Sequence, residues 1–183
     1  MKVSIIGQGY VGLTISAFAA KHHQVVGFDL NSSIVAQLNK GLSHIEGVDS
    51  KDIKDLIYAG NYKATTEAAD MSESGIVVIA VPTPLDSNRK PDLSYIDSAC
   101  KVIGGNLDSP ALIINESTSY PGTIRNYIKP AIEKYSKAKI AHEYAISPER
   151  VDPGRVEWNQ KNTPRLFAGL TPEASRRTRE FYA

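Results

Sequence analysis

Gly7-Gln8-Gly9-Tyr10-Val11-Gly12 is a G-x-G-x-x-G run that follows a short apolar stretch and heads a segment in which Val11, Ile15 and Phe18 recur at helical spacing. In that setting each glycine has a task. Gly7 permits a tight turn, Gly9 lets the backbone approach a pyrophosphate, and Gly12 lets a helix pack closely on a strand. The free amides and the dipole of the helix start then face the anion. Asp29 closes the next apolar stretch, 22 residues after Gly7. That is near the ~20-residue spacing at which an acid accepts hydrogen bonds from the ribose hydroxyls of a dinucleotide. Its charge would repel a 2′-phosphate, so NAD is expected rather than NADP. The plainer alternative is a glycine turn that only packs a helix, with Asp29 capping the helix after it.

Three later segments end apolar stretches abruptly and leave polar groups there. Val81-Pro82-Thr83-Pro84 stops a buried strand, since neither proline can donate to a ladder, and exposes the Thr83 hydroxyl at the edge where open α/β sheets bind ligands. It could equally be a rigid loop. Glu116-Ser117-Thr118-Ser119-Tyr120-Pro121-Gly122-Thr123 repeats the pattern and leads into a helix, so Thr118 reads as a helix cap, a ligand contact, or both. The run from Ser147-Pro148-Glu149-Arg150 through Val151-Asp152-Pro153-Gly154-Arg155 brings together carboxylates and two guanidinium groups, which would suit a phosphorylated sugar; alone it could be a salt-bridged loop. Other reactive side chains read as bland. Cys100 falls on the apolar face of a helix and reads as packing rather than nucleophile. His22 and His23 read as exposed turn residues, and Asp49, Asp52 and Asp55 as a solvated face rather than a metal site. Arg176, Arg177 and Arg179 read as a charged helix surface.

The elements that must hold these groups alternate between short β-branched runs and longer segments of helical period, which makes the class α/β: a Rossmann-like, doubly wound, mostly parallel sheet with helices on both faces. Six strands are expected, at 2–7, 24–30, 75–81, 111–117, 139–147 and 165–169. A helix is expected from about 92 to 106, with Ile96, Ala99, Cys100 and Ile103 inward. Another follows Pro121, with Thr118 or Ser119 as its cap and Pro130 as a kink inside the stripe. Residues 41–70 give only a hint of a helix around Ile53, Leu56 and Ile57, with the three aspartates outside it. Thr171-Pro172-Glu173 starts a last helix.

Composition narrows the classes further. The 183 residues make one domain, 1–183, and the net charge of +1 offers no field to hold nucleic acid or an anionic membrane. The longest apolar run, 76–81, is far short of the ~20 residues of a bilayer span, and the first residues lack a secretory h-region, so a cytoplasmic protein is expected. A single cysteine precludes an internal disulfide and argues against a zinc site.

Taken in order, Gly7–Gly12 with Tyr10-Val11, Asp29, Val81-Pro82-Thr83-Pro84, Glu116-Ser117-Thr118 with Pro121-Gly122-Thr123, and Ser147-Pro148-Glu149-Arg150 closely resemble the UDP-glucose/GDP-mannose dehydrogenase family across the whole chain. The resemblance implies an NAD-dependent, four-electron oxidation of the C6 alcohol of a nucleotide sugar to the uronate, through a cysteine thioester and with two NAD reduced. It implies that Gly7, Gly9, Tyr10, Val11, Gly12, Asp29, Thr83 and Thr118 meet the cofactor. Thr118 would also orient a water, Glu149 would assist proton transfer, and Glu149, Arg150 and Val151 would meet the UDP-sugar. Pro153 stands where the UDP-glucose branch carries a second glutamate, so the resemblance favours a UDP-N-acetylhexosamine, UDP-N-acetylmannosamine first and UDP-N-acetylglucosamine second. The family's nucleophilic cysteine, with its lysine and asparagine partners, has no counterpart here. The chain is therefore expected to be the amino-terminal part of a homodimeric enzyme, inactive by itself, whose product would feed polysaccharide biosynthesis. Two competing readings are a non-catalytic NAD-binding sensor module and another Rossmann dehydrogenase of the hydroxy-acid type.

Overall fold

The computed structural model describes residues 1–136, 139–150 and 163–183. Among these residues the sheet has seven strands: β1 (Lys2–Ile6), β2 (Gln24–Phe28), β3 (Tyr62–Thr65), β4 (Ile76–Ile79), β5 (Leu112–Asn115), β6 (Glu143–Ile146) and β7 (Ala168–Gly169). Their order is β3-β2-β1-β4-β5-β6-β7, with every pair parallel except β6 and β7. The helices are α1 (Tyr10–Ala19), α2 (Ser32–Asn39), α3 (Ser50–Tyr58), α4 (Ser94–Asn106), α5 (Lys129–Tyr135) and α6 (Pro172–Tyr182). The chain winds outward from β1 to β3, then crosses back to β4 on the other side of β1. That reversal opens a crevice at the carboxyl ends of β1 and β4, where such sheets receive ligands.

The central strands are apolar on both faces because both are covered. Val3, Ile5, Ile76, Val78, Leu112 and Ile114 point into one core, beneath α1, α2, α3 and α6, and Ile6, Val77, Ile79 and Ile113 point into the other, beneath α4 and α5. Each fully buried Ile or Leu contributes about 1.5–3 kcal/mol through apolar burial. The strand ends at the crevice are therefore anchored by the best-packed part of the molecule.

The expected sheet of six strands is corrected to seven. The added strand, β3, is four residues long, lies at the sheet edge with Lys63 exposed, and carries too little apolar pattern to stand out. The expected strand at 139–147 pairs only over Glu143–Ile146, and the one at 165–169 only over Ala168–Gly169. The helix after Pro121 is corrected as well. Gly122 takes φ +91°, a left-handed turn that stops Pro121 from opening a helix. The helical run starts with a π-helical segment over Ile124–Ile128 and passes into α5, with Pro130 in its first turn. The wider π spacing accommodates the proline that would otherwise clash with the preceding turn. Asp52 and Asp55 lie within α3, on its exposed side, rather than outside it. Thr171 caps α6 as its spacing predicts, the hydroxyl accepting from the Ala174 N–H at 3.0 Å. No helix among the described residues is long and apolar enough to cross a membrane.

Candidate functional site

The G-x-G-x-x-G run forms the turn from β1 into α1. Gly7 sits at φ +90°, and a Cβ there would lie 2.5 Å from the Ala80 carbonyl oxygen; at Gly12 a Cβ would lie 1.8 Å from the Gly7 carbonyl oxygen. Gly9 is different: it is the α1 N-cap, no side chain caps the helix, and nothing lies within 4 Å of where its Cβ would be. The first-turn amides of α1 thus face open space over a backbone stripped of side chain, which is what a pyrophosphate requires. Gln8, between the glycines, is wholly buried. Its Nε2 donates to the carbonyls of Ile5 and Gly7 at 3.1 Å each, and its Oε1 accepts from Ser16 Oγ and the Tyr62 hydroxyl at 3.1 and 2.9 Å. This residue, invisible to motif reasoning, locks the turn to α1 and β3.

Asp29 follows β2. Its Oδ2 accepts from the Gln8 N–H at 2.7 Å and its Oδ1 from the Asn31 N–H at 2.8 Å. The cap of α2 is Asn31, whose Oδ1 accepts from the amides of Ser33 and Ile34, so Asp29 is not the helix cap of the plainer alternative. Backbone bonds instead orient its carboxylate beside the glycine turn, with lone pairs left for hydroxyl donors.

These residues share one cavity of about 680 Å³, lined among others by Gly7, Gly9, Tyr10, Val11, Asp29 and Thr83, and continuing to Thr118 and Glu149. The volume suits a drug-sized or nucleotide-sized ligand. Part of its wall is apolar, with Leu30, Ile34, Tyr95 and Val102 among the lining residues; exposed Leu30 and Tyr95 offer surface that a flat base would cover. Thr83 follows β4 and Thr118 follows β5. Ser117 ties these two ends together: its Oγ donates to the Val81 carbonyl at 2.7 Å and accepts from the Val81 N–H at 3.0 Å. Thr118 itself is exposed in the cavity and caps no helix. One cavity therefore holds a glycine cradle, a carboxylate able to accept ribose hydroxyls, two hydroxyls and a second carboxylate, a set of donors and acceptors that fits NAD.

Among the sugar-side expectations, Glu149 lines the cavity and accepts the Arg150 N–H on its Oε1 at 2.6 Å. Arg150 is exposed and is not among the lining residues; Val151, Asp152, Pro153, Gly154 and Arg155 lie outside the described residues. Cys100 is fully buried in the α4 core, and burial pushes its thiol up to about 12, the pKa of a packing residue rather than a nucleophile. His22 is exposed as expected, whereas His23 is half-buried and stacks on Phe181. Arg176 is held by Glu173 and Glu180, and Arg177 donates to the Gly75 carbonyl at 2.9 Å, joining α6 to the start of β4.

One lining residue carries more than its place in a motif foretells. Glu116, the residue after β5, is 1% exposed, pairs with Arg165 at 2.6 Å and accepts a hydrogen bond from the Tyr182 hydroxyl. Its partners lie 49 and 66 residues away. A local reading of sequence has no signal for such a cluster.

All of residues 1–183 match the UDP-glucose/GDP-mannose dehydrogenase family, NAD binding domain. The chain belongs to this family. It is 33% identical to UDP-N-acetyl-D-glucosamine 6-dehydrogenase of Pseudomonas aeruginosa over 94% of its own length and 41% of the relative's. To UDP-N-acetyl-D-mannosamine dehydrogenase of Escherichia coli K12 it is 34% identical, over 98% and 44%. The structure of UDP-D-ManNAc dehydrogenase from Pyrococcus horikoshii superposes with a TM-score of 0.90 at 32% identity, covering all of this chain and 44% of that one. The chain thus spans less than half the length of these relatives. A diketoreductase with a TM-score of 0.59 and 15% identity shares the fold alone. The matched region is the NAD binding domain of that family, and the donors, acceptors and apolar wall of the cavity suit this cofactor.

Proposed function

We propose that the natural polypeptide carrying this NAD binding domain oxidises the C6 alcohol of a UDP-N-acetylhexosamine to the uronate, with UDP-N-acetylmannosamine as the first choice of substrate. The observation that carries the reading is the single cavity in which the glycine turn, Asp29, Thr83, Thr118 and Glu149 meet. The similarity to dehydrogenases named for UDP-N-acetylmannosamine and UDP-N-acetylglucosamine supports the substrate class.

Bound NAD supplies a hydride acceptor. The chain's own groups do the rest. The amides from Tyr10 to Gly12 hold the pyrophosphate, and Asp29 accepts the hydroxyls of the adenosine ribose while excluding a 2′-phosphate by charge. Thr83 and Thr118, at adjoining strand ends, position the nicotinamide end, and Thr118 also orients a water. Glu149 takes the proton that leaves the C6 hydroxyl, a role supported by its place among the residues lining the cavity. Arg150 and Val151 contact the nucleotide sugar. The thiol that captures the aldehyde comes from the remainder of the polypeptide, since Cys100 is sealed in the core.

The test is NADH formation by the natural polypeptide with UDP-N-acetylmannosamine, UDP-N-acetylglucosamine, UDP-glucose and a panel of 2-hydroxy acids. The expected outcome is two NADH per N-acetylated sugar, slower use of UDP-glucose, and no oxidation of hydroxy acids. The 183-residue chain alone should bind NAD and turn nothing over. Preference for UDP-glucose would refute the substrate choice, and NAD binding without oxidation of any of these would favour the sensor module.

A further inference from the structure

Glu116 is built into the site in a way that cofactor binding alone does not explain. Its Oε1 accepts from Arg165 Nη1 at 2.6 Å and from the Tyr182 hydroxyl. The same guanidinium nitrogen lies 3.3 Å from Ser147 Oγ, and the guanidinium carbon sits 4.3 Å from the centre of the Tyr182 ring. The ends of β5 and β6, the segment before β7 and the last turn of α6 therefore converge on one carboxylate. Its other oxygen, Oε2, is buried with no hydrogen-bond partner among the described residues. An unpaired buried acceptor is costly, and apolar packing would join the same segments without that cost. On either side of this residue the chain is fixed: Asn115 Nδ2 donates to the Ser117 carbonyl at 2.9 Å, and Ser117 ties to Val81. Thr118 is thus held toward β4 through Ser117 and toward α6 through Glu116, while Ser147, two residues before Glu149, touches the same guanidinium.

We propose that Glu116 is a positioning residue whose clamp on Arg165 and Tyr182 fixes the segments presenting Thr118 and Glu149 to the dinucleotide, and whose grip changes as its carboxylate gains or loses a proton. The inference rests on the roles given above to Thr118 and Glu149.

Among the described residues, the charged and titratable groups facing Glu116 are Arg165 from the segment before β7, Tyr182 from α6 and Glu149 from the loop after β6. Burial pushes the Glu116 pKa up to about 7; Arg165 and the Tyr182 hydroxyl pull against that rise, and the charge of Glu149 adds to it. The ionised form, in which the contact with Arg165 is a charge-assisted hydrogen bond, fills as pH rises through neutrality. Protonation leaves Arg165 facing a neutral acid and loosens the clamp.

The experiment follows kcat against pH for the natural polypeptide with NAD and UDP-N-acetylmannosamine, in the wild type, Glu116→Gln and Tyr182→Phe. The wild type should gain activity through an inflection near 7. Glu116→Gln, fixed in the neutral form, should lack that inflection and lose about tenfold of the alkaline plateau. Tyr182→Phe keeps the ring beside Arg165 but removes a donor to the ionised form, so the inflection should move upward by about half a unit. A Glu116→Gln profile that overlays the wild type, or one uniformly lowered with its inflection intact, overturns the proposal. If Glu116→Gln does not fold, an unmoved inflection in Tyr182→Phe overturns it. Glu149→Gln separates the two assignments: full turnover there refutes the role of Glu149, and Glu116 is then judged by its own inflection. If no UDP-sugar is oxidised by the wild type, the proposed function falls. NAD affinity against pH in the same proteins then decides for Glu116, a wild-type inflection absent from Glu116→Gln supporting it and a flat wild-type profile overturning it.

Discussion

Adding one methyl group at each of two glycines in the cofactor turn should separate binding from stability. At Gly9 the φ of −72° is open to any residue, and a Cβ meets nothing within 4 Å. Gly9→Ala therefore has little to clash with in the unliganded protein; alanine is only a poorer N-cap than glycine, at a cost of up to about 1 kcal/mol. For a chain of this size that lowers Tm by roughly 2–4 °C. The methyl group does, however, stand in the space through which the pyrophosphate approaches, and NAD affinity should fall more than about tenfold, or about 1.4 kcal/mol. At Gly12 the added carbon would lie 1.8 Å from the Gly7 carbonyl oxygen, so α1 and the turn must separate by about 1.5 Å to restore ordinary contact. Overpacking of that kind costs about 1–3 kcal/mol or more, and Tm should fall by about 2–12 °C. The assay is thermal unfolding of both variants with and without NAD, since a ligand of the native state stabilises by RT ln(1 + [L]/Kd). A Gly9→Ala variant that NAD stabilises as much as the wild type would refute the geometry, because the phosphates would then have to lie elsewhere.

Asp29→Ala should lose most of the stabilisation by NAD and narrow the preference over NADP, and NADP titrations of both proteins measure it. It should also lower stability by about 1–3 kcal/mol, because the Gln8 and Asn31 amides lose their acceptor. For Glu116 the folded-state pKa of about 7 lies above the 4.5 of an unperturbed glutamate. The folded protein thus binds the proton more tightly than the unfolded chain, and the Glu116 contribution to stability is lost as pH rises from about 4.5 to about 7, by up to roughly 3 kcal/mol. Denaturant unfolding at pH 5 and pH 8 should show the wild type losing stability relative to Glu116→Gln as pH rises, the other titrating groups being common to both. Cys100 should react with a thiol reagent only as fast as the protein opens, and Cys100→Ala should leave NAD binding unchanged at a cost of about 1 kcal/mol.

What could be read from sequence was what neighbours in sequence decide. The glycine turn, Asp29 and the strand ends at Thr83 and Thr118 are each set by a few adjacent residues, because a strand that stops at prolines or runs into a glycine-rich turn announces itself locally. The helix at Ser94–Asn106 was legible for the same reason, its apolar residues repeating over a long span. The strand Tyr62–Thr65 was not, since four residues at a sheet edge owe their pairing to β2 rather than to their own pattern. Gly122 hid in a motif that suggested a helix start, and only its left-handed backbone reveals otherwise. The Glu116 cluster was out of reach altogether, because its guanidinium and phenol come from other parts of the chain and meet it only when β7 and α6 dock.

The buried Gln8 side chain also constrains how this domain can vary. A Cβ on Gly27, in the neighbouring strand, would lie 2.5 Å from Gln8 Oε1 and 2.8 Å from the Tyr62 hydroxyl. Three positions scattered over the chain are thus one unit of inheritance. A larger residue at 27 expels the Gln8 amide, and a shorter residue at 8 strands the Ser16 and Tyr62 hydroxyls without their acceptor. Single steps away from this trio should be unfit while a paired exchange survives, so its members should drift together or not at all, even though none of them is among the residues lining the cavity.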